Sequence, residues 1–362
     1  MLKITLLLKI FLILFLFESV VLNGQEYKTV NCNDKLPDAG WQRVRQLFYC
    51  PTNFPDYTMV MMHRGLWTDV PENSLAAVKN AIAFSDAEPN RPGFIELDIM
   101  KGANGVLFCF HDFYLDRLTT GSGQIKDGQK NIYKTYDEIK GYNLKREGVI
   151  FENEHIPTLA DALELIKQSS SLMVNLDKVE DYLPTAIDLV IKKGMQERVI
   201  TKGAWAKHKT PDELLASLGS YAHKDLVLKI YTPIIYENNV EDDEVTKDII
   251  DQWLAIDGFP GFQINYKTYN SDVFTKNNFD GMNLIDYLKS RNVRIGIFSD
   301  WPDNCQGTWA TATTGYSNTA ATTKDRRGEW EYVNEHGANF IISDGAGPLL
   351  NFLEVAGKRI AD

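Results

Sequence analysis

The sequence is short of positive charge: 38 lysine and arginine residues are outnumbered by 49 acidic ones, and the formal net charge is −11. Nucleic acids bind proteins through basic stripes that contact phosphates, and no such stripe is present, so no nucleic-acid partner is expected. The sequence also lacks a glycine-rich phosphate loop, a serine nucleophile elbow, an HExxH motif and a CxxC pair. These absences argue against the enzyme classes that depend on those motifs.

A long apolar run is also missing from the N-terminus. Lys9 and Glu18 bracket the eight apolar residues 10–17, whereas a membrane-spanning helix needs about 20. Basic residues before such a run and small or apolar residues at 22–24 are typical of a cleaved signal peptide. We therefore predict a signal peptide at 1–24, rather than an anchor. The protein is then exported, periplasmic or secreted, with no membrane span in its mature chain.

Cysteine is scarce, with four residues in the chain. Cys32 and Cys50 bracket a short N-terminal segment, taken here as 25–56, and they are able to pair in an oxidising compartment. Cys109 lies in an apolar run and Cys305 in a polar loop. The spacing leaves open whether Cys32 and Cys50 form a disulfide.

The remaining domain, 57–362, alternates short β-branched runs with helical patterns. Eight such alternations predict an α/β fold of the (β/α)8 TIM-barrel type, with a doubly wound open sheet as the main competitor. The predicted strands are 57–62, 94–99, 172–177, 198–202, 227–231, 261–265, 293–298 and 339–343, and helical patterns occur at 74–87, 159–168, 183–193, 211–218, 282–290 and 329–336.

Polar residues stand at the C-terminal ends of many predicted strands, and a barrel brings these ends to one face. Two long polar segments, 112–157 and 300–325, follow strand ends and are expected over the same face. The second contains Trp301, Trp309 and Tyr316, which favours a substrate-covering loop. The polar strand-end residues are His63, Asp98, Asp177, Lys202, Asn265, Asp300 and Asp344.

A ninth apolar run, 106–110, does not fit the repeat. Only six residues separate it from the second strand, whereas a parallel crossover needs about a dozen or more. We predict a β-hairpin inserted after strand 2, with Asn104-Gly105 as a two-residue turn. With residues 104 and 105 as the turn, residue 103 faces residue 106, and the numbers of any two facing residues add up to 209. This pairing therefore places His111 directly beside Asp98 on one face of the hairpin.

His63-Arg64-Gly65 ends the first predicted strand. A single histidine at a strand end is commonly structural. Here, however, Arg64 offers several donors suited to a phosphate, and Gly65 lets the backbone approach a ligand closely. We predict that Arg64 binds phosphate and that His63 is catalytic. Glu72 either braces Arg64 or lies in a solvated turn.

Glu96 and Asp98 are two residues apart and therefore share one face of a strand. Two carboxylates this close repel each other unless a positive group lies between them. We predict a divalent cation, with Asp177 at the end of the next strand as third ligand. Ligation by oxygen alone favours Mg²⁺ or Ca²⁺ over Zn²⁺. The alternative is a solvated funnel in which the acids pair with Arg64 or a lysine.

His111 is predicted to reach the same cavity as His63, where two imidazoles can divide proton transfer to and from the reacting oxygens. Its alternative is a hydrogen-bonded residue at the rim. Lys202 either reaches a phosphate oxygen or forms a structural ion pair. The other histidines have no metal-ligand spacing and are interpreted as surface residues: His155, His208, His223 and His336.

Several short motifs occur in order between residues 57 and 355. Together they resemble the glycerophosphodiester phosphodiesterase family, and the resemblance is most specific in the first half. The motifs are His63-Arg64-Gly65, Pro71-Glu72-Asn73-Ser74, Glu96-Leu97-Asp98, Gly105-Val106 leading to His111-Asp112, Leu115-Asp116-Arg117 and the closing strand at 340–344.

The resemblance implies the barrel, two histidines as general acid and base, an arginine on phosphate and acidic ligands for a divalent cation. The sequence departs from the family pattern in places. Asp177-Lys178 stands where Glu-x-Lys is usual, Asn104 replaces a common Asp, Leu118 replaces a frequent Thr, and the loop 300–325 is longer.

The expected reaction is hydrolysis of a small-molecule glycerophosphodiester to glycerol 3-phosphate and an alcohol. A rival is a phospholipase D-like or phosphoinositide-lyase-like enzyme that acts on intact lipid. A second rival is a non-catalytic barrel that binds a ligand. The sequence leaves open the metal, the head group, a cyclic phosphate intermediate and the oligomeric state.

Overall fold

A computed structural model describes residues 27–89, 91, 93–127, 131–237, 243–266, 271–299, 330 and 333–361. The predicted signal peptide, the loop 300–325 and Cys305 lie outside these residues. The strands in chain order are β1 (Met59–Met62), β2 (Phe94–Lys101), β3 (Leu107–Cys109), β4 (Asn143–Arg146), β5 (Val149–His155), β6 (Met173–Asp177), β7 (Val199–Ala204), β8 (Tyr231–Tyr236), β9 (Gly261–Asn265), β10 (Arg294–Ser299) and β11 (Phe340–Ser343).

Eight parallel strands close into a barrel, which confirms the predicted TIM-barrel fold. On one side β1 pairs with β11, with Met59 opposite Phe340, and on the other it pairs with β2, with Met61 opposite Phe94. The strands β6, β7, β8, β9 and β10 follow in order between β2 and β11. Because both sides of β1 are paired, the alternative of an open sheet is wrong.

Helices cover the outside of the barrel. Ser74 caps the second helix, and its hydroxyl accepts a hydrogen bond from the amide of Ala77. Within the described residues, no helix is both long and apolar enough to cross a membrane. The helices include α1 (Trp41–Tyr49), α2 (Leu75–Asp86), α3 (Tyr136–Ile139), α4 (Leu159–Lys167), α5 (Leu183–Lys193), α6 (Pro211–Ser217), α7 (Lys224–Ile230), α8 (Asp243–Leu254), α9 (Asp272–Thr275), α10 (Leu284–Ser290) and α11 (Ala346–Val355).

The fifth barrel strand lies later in the chain than the sequence predicts. The predicted strand 227–231 is wrong, because most of it belongs to α7, and the strand is β8. Leu226, Val227 and Ile230 are buried in α7 at a spacing that also suits a helix. A short apolar run fits a buried helix and a buried strand equally well. Pro233 within β8 further weakened the strand signal.

The hairpin insertion after strand 2 is confirmed, but its predicted register is wrong by one residue. Ile99 lies opposite Cys109, so paired residue numbers sum to 208. The connection has three residues, 103–105, and its glycine adopts φ +80°. Because strand side chains alternate between faces, the shift places Phe110 opposite Asp98 instead of the predicted histidine. The backbone confirms this pairing, since the Phe110 amide donates to the Asp98 carbonyl at 2.9 Å.

The polar segment 112–157 folds into an insertion beside the barrel mouth. It contains a second hairpin, β4 and β5, which the sequence analysis missed. Glu147 and Gly148 form its two-residue turn, and both have positive φ, +51° and +84°. A turn of this kind matches the twist of the flanking strands. The insertion has a small apolar core of its own, which includes Phe108, Phe110, Leu115, Ile125, Ile139, Leu144 and Ile156.

The N-terminal segment closes the opposite end of the barrel. Leu47 and Phe48 of α1 are buried against residues that begin the barrel strands, among them Phe94 and Phe340. The guanidinium of Arg294, buried under this helix, donates to the Phe48 carbonyl at 2.9 Å. The helix is also covalently tied, because Cys32 and Cys50 form a disulfide. In the described part of the chain, α1 thus covers the N-terminal end of the barrel.

Candidate active site

One cavity of about 520 Å³ lies at the C-terminal ends of the barrel strands. Its volume is in the range of small-molecule binding sites. The strands of a parallel barrel all end at this face, so their terminal side chains converge there. The structure brings all seven predicted site residues to the cavity: His63, Arg64, Glu96, Asp98, His111, Asp177 and Lys202.

His63 is held by two carboxylates. Its Nδ1 lies 2.8 Å from Oδ1 of Asp344, and its Nε2 lies 3.3 Å from Oε2 of Glu96. Burial lowers the pKa of His63, but the neighbouring charges of Glu96 and Asp344 outweigh burial and raise it above 6.5 overall. The ring of Phe298 packs edge-on against the imidazole, with centroids 4.6 Å apart. The orientation of His63 is thus set on several sides.

Arg64 enters the cavity from a tight turn. Arg64 and Gly65 both have positive φ, +57° and +86°. A Cβ on Gly65 would lie 3.0 Å from the side chain of Ala77, so a larger residue would push the turn off α2. The guanidinium lies 2.9 Å from Oε1 of Glu72. Of the two predicted roles for Glu72, the structure shows the first, in which its carboxylate holds the side chain of Arg64.

Asp98 is the centre of a strained cluster. Three residues with positive φ contact its carboxylate, although none is glycine: Arg64 (+57°), Asn73 (+57°) and Lys178 (+62°). Their nitrogens lie 3.2, 2.9 and 3.2 Å from the Asp98 oxygens. Burial raises the pKa of Asp98, but Lys178 and Arg64 outweigh it and hold the pKa well below its ordinary value. Left-handed backbone of this kind persists where surrounding contacts hold it, commonly at functional sites.

Glu96 and Asp177 share one ammonium group. Lys202 hydrogen-bonds Glu96, and its Nζ lies 3.3 Å from Oδ2 of Asp177. Burial raises the pKa of Asp177 to about 7 in spite of Lys202. Lys202 is 5% exposed and lines the cavity as the ion-pair partner of these two carboxylates. The structural ion pair, one of its two predicted roles, is therefore present.

His111 reaches the cavity even though its predicted strand register is wrong. β3 ends at Cys109, and His111, two residues later, lines the cavity. Nδ1 of His111 lies 2.7 Å from Oδ1 of Asp112, and Arg117 donates to both oxygens of Asp112 at 2.7 and 2.8 Å. Arg117 also donates to Glu72 at 3.0 Å. Each imidazole in the cavity therefore has a carboxylate at Nδ1.

Two sets of acidic residues offer ligands for a cation. Among the described residues, Glu72, His111 and Asp112 are the group whose ligand atoms all lie within 4.8 Å of one another. The predicted set, Glu96, Asp98 and Asp177, is more widely spread. Oε2 of Glu96 is nevertheless buried, and within the described part of the chain it contacts Nε2 of His63 at 3.3 Å without forming a hydrogen bond. The site thus contains carboxylate oxygens suited to a hard divalent cation.

A family model supplies the decisive comparison. The model of the glycerophosphoryl diester phosphodiesterase family matches residues 63–297. The chain belongs to this family. The resemblance predicted from the motifs is confirmed, and the match spans the barrel strands from the His63 end of β1 to β10.

Relatives of the chain carry the same family name. A glycerophosphodiester phosphodiesterase from Bacillus altitudinis is 29% identical over 263 residues, which are 68% of this chain and 96% of the relative. The chain spans about half the length of another relative, from Caldanaerobacter subterraneus, and 30% of the bovine one.

Solved structures of the family share the barrel fold. A glycerophosphoryl diester phosphodiesterase from Parabacteroides distasonis has a TM-score of 0.60 at 17% identity and covers 89% of this chain and 94% of its own. A phosphodiesterase from Oleispira antarctica, solved in complex with the product sn-glycerol-3-phosphate, has a TM-score of 0.52 at 17% identity, with coverage of 83% and 99%.

Several residues of this family member's site were missed or left unassigned by the sequence analysis. Asp344 was noted as a strand-end residue without a role, and it binds His63. Asp112 and Arg117 lay within family motifs, which was a usable signal for their role beside His111. Asn73 also lay within a family motif and Lys178 stood at a departure from the family pattern, but their contacts to Asp98 could not be predicted, because they depend on backbone turns with positive φ.

For one of the four histidines interpreted as surface residues, the prediction is wrong. His208, expected at the surface, is 9% exposed, and its Nδ1 lies 3.4 Å from the hydroxyl of Tyr231. Burial lowers the pKa of His208 below 6.5. Its sequence neighbours are polar, but its ring packs against Tyr231, the first residue of β8. His155 and His223 are exposed, and His336 is half-buried.

Proposed function

We propose that the protein hydrolyses glycerophosphodiesters to glycerol 3-phosphate and an alcohol, with His63 and His111 as general acid and base. The observation that carries the proposal is the pair of imidazoles at one cavity, each with a carboxylate at Nδ1. The bound product of the Oleispira antarctica phosphodiesterase supports the same reaction class.

The carboxylates of Asp344 and Asp112 prepare the imidazoles for proton transfer. A carboxylate accepts the Nδ1 proton of a neutral imidazole, which leaves Nε2 to take or give a proton at the substrate. One histidine removes a proton from the attacking oxygen, and the other protonates the leaving oxygen. The phosphorus must therefore lie between His63 and His111, in the region that Arg64 borders.

Arg64 is suited to bind the phosphate. Its guanidinium is 16% exposed, borders the cavity and lies between the carboxylates of Glu72 and Asp98. These neighbours orient the planar group, so that its remaining donors are fixed when an anion arrives. An arginine in such a setting binds two phosphate oxygens and stabilises charge that develops during the reaction.

Glu96, Asp98 and Asp177 are the proposed ligands of a divalent cation, Mg²⁺ or Ca²⁺. The buried Glu96 Oε2 that lacks a hydrogen bond favours this set. The alternative group includes His111, and ligation there would remove this histidine from proton transfer. A bound cation would supply polarisation of a phosphoryl oxygen. Lys202 also pairs with Glu96 and Asp177 and offsets part of their negative charge.

We propose that the protein works outside the cytoplasm, after export. The N-terminal sequence pattern supports this proposal, and so does the disulfide between Cys32 and Cys50. Disulfides persist in oxidising compartments and are rare in the cytosol. Recovery of the mature protein from a periplasmic or culture-medium fraction, with a new N-terminus near residue 25, is the expected result.

The test of the reaction is release of glycerol 3-phosphate from glycerophosphocholine. His63→Ala and His111→Ala should each lower kcat by about 10²–10⁴, the usual contribution of a general acid or base. His155→Ala is the matched control, because this exposed histidine lies outside the cavity. Retention of wild-type kcat by either active-site variant would contradict the proposal. Treatment with a chelator should abolish turnover, and Mg²⁺ or Ca²⁺ should restore it.

A further inference from the structure

A second cavity adjoins the proposed catalytic cavity. It has a volume of about 440 Å³, and its walls include the apolar side chains of Leu66, Trp67, Phe84 and Pro348. Asp344 lines both cavities. Binding sites for small molecules are commonly apolar and carry a few polar groups that orient the ligand. The second cavity has this character, whereas the catalytic cavity is lined mainly by charged groups.

Trp67 links the two cavities. Its indole Nε1 donates to Oδ1 of Asp344 at 3.1 Å, and the same oxygen lies 2.8 Å from Nδ1 of His63. The indole is thus one hydrogen-bonding group away from the imidazole. A phosphodiester placed between the two histidines has two substituents, and one of them can extend past Asp344 along the indole.

Arg146 borders the second cavity from the β4–β5 hairpin. Its guanidinium carbon lies 5.8 Å from the centre of the Trp67 ring, and its side chain is 27% exposed. The Nε atom of Arg146 is buried and makes no hydrogen bond within the described ranges of the chain. A buried donor without an acceptor is unfavourable. Because Arg146 lines the cavity, its guanidinium can donate a hydrogen bond to an oxygen atom on a ligand there.

We propose that this cavity is a subsite for an apolar substituent of the phosphodiester. The substituent is an acyl or alkyl chain that packs against Leu66, Trp67 and Phe84, and an oxygen near the head of the chain accepts a hydrogen bond from Arg146. The substrate class is then a glycerophosphodiester that keeps one hydrocarbon chain. This inference rests on the proposed function, since it places the phosphorus between His63 and His111.

The first experiment compares kcat/KM for glycerophosphocholine with kcat/KM for monoacyl glycerophosphocholines of increasing chain length, below their micelle concentrations. In the wild type, kcat/KM should rise by about fourfold for each added methylene that is fully buried. Phe84→Ala should lower the ratio between the long-chain and the deacylated substrate by about tenfold or more. Val355→Ala is the control, because Val355 is 92% exposed and lies outside the cavity.

A second variant keeps the proposal testable if Phe84→Ala fails to fold. Arg146→Met keeps an unbranched apolar side chain on an accessible hairpin but removes the donors, so it should lower the same ratio by about threefold to tenfold. A rate that does not depend on chain length in the wild type would overturn the proposal. The proposal would also be overturned if each variant lowered kcat/KM equally for the long-chain and for the deacylated substrate.

Binding without turnover separates this inference from the proposed reaction. Calorimetric titration with alkylphosphocholines in the presence of a chelator should show affinity that rises with chain length and falls in Phe84→Ala. Such binding in a protein that hydrolyses no diester would uphold the subsite and refute the proposed reaction. Normal hydrolysis of glycerophosphocholine with affinity independent of chain length would refute the subsite alone.

Discussion

Oδ1 of Asp344 lies 2.8 Å from Nδ1 of His63 and accepts a hydrogen bond from the indole of Trp67 at 3.1 Å. The indole holds the carboxylate, and the carboxylate holds the imidazole. The relationship recurs at His111, where Arg117 holds the carboxylate of Asp112. Both imidazoles are therefore oriented by a group that is itself fixed by a second hydrogen bond, an arrangement typical of residues that transfer protons.

Asp344→Asn should lower kcat by about 10²-fold or more with a small change in KM. An amide can donate to Nδ1 of His63, which favours the tautomer that is protonated on Nε2 rather than on Nδ1. Steady-state kinetics with glycerophosphocholine measures the effect. Asp257→Asn is the control, because Asp257 is exposed and outside the cavity. Equal kcat values for the two variants would show that Asp344 does not position the catalytic histidine.

Arg117→Lys should lower kcat by about tenfold, because a lysine cannot bond both oxygens of Asp112 and also reach Glu72. The pH profile of kcat should shift at the same time, since the carboxylate beside His111 loses its fixed position. Arg117→Gln, which also removes the charge, should be slower still. Arg291→Lys serves as a control at an exposed ion pair with Asp251. Wild-type kinetics in Arg117→Lys would exclude the positioning role.

Asp86→Asn should destabilise the protein at neutral pH and less so in acid. The carboxylate accepts hydrogen bonds from Ser169, Ser170 and Ser171 at 2.7, 3.2 and 3.0 Å. Burial opposes ionisation of Asp86, but these bonds outweigh burial and hold its pKa below 3.8. Because the folded pKa is depressed, the contribution is complete above the unfolded pKa of about 4 and is lost as the pH falls through the folded value.

Asp86→Asn should lower the free energy of unfolding by about 1 kcal/mol at pH 7. The value is modest because the carboxylate is exposed and an amide oxygen still accepts hydrogen bonds. Urea unfolding at neutral pH and at low pH measures it. Asp257→Asn is again the matched control. A difference in free energy of unfolding that stays constant as the pH falls would contradict the role of the charged form.

Removal of the disulfide by the double substitution Cys32→Ser and Cys50→Ser should lower the free energy of unfolding by about 3 kcal/mol, given a closed loop of 18 residues. The reason is that the crosslink restricts the unfolded chain near α1. Urea unfolding with and without a reductant measures the loss. The reductant should destabilise the wild type to a similar extent and leave the double variant unchanged; a reductant effect on the double variant would point to another cause.

The barrel was predictable because its signal is repeated along the chain. Parallel barrel strands are buried on both faces and therefore occur as short apolar runs between helices. The errors arose where the local signal was ambiguous. The run 227–231 fits a helix as well as a strand, and the turn after β2 has three residues where Asn104-Gly105 suggested two. Glu147-Gly148 is a weaker turn signal than Asn-Gly, so the β4–β5 hairpin was missed.

By itself, the sequence determined the repeating alternation of strands and helices that makes the barrel and the placement of His63, Glu96 and Asp98 at one face of it. These features follow from local periodicity and from the rule that parallel strands end together. Only the tertiary structure decided the partner of each group. Asp344 holds His63 across 281 residues of chain, and Lys202 joins Glu96 to Asp177, because closure of the barrel brings distant strand ends within hydrogen-bonding distance.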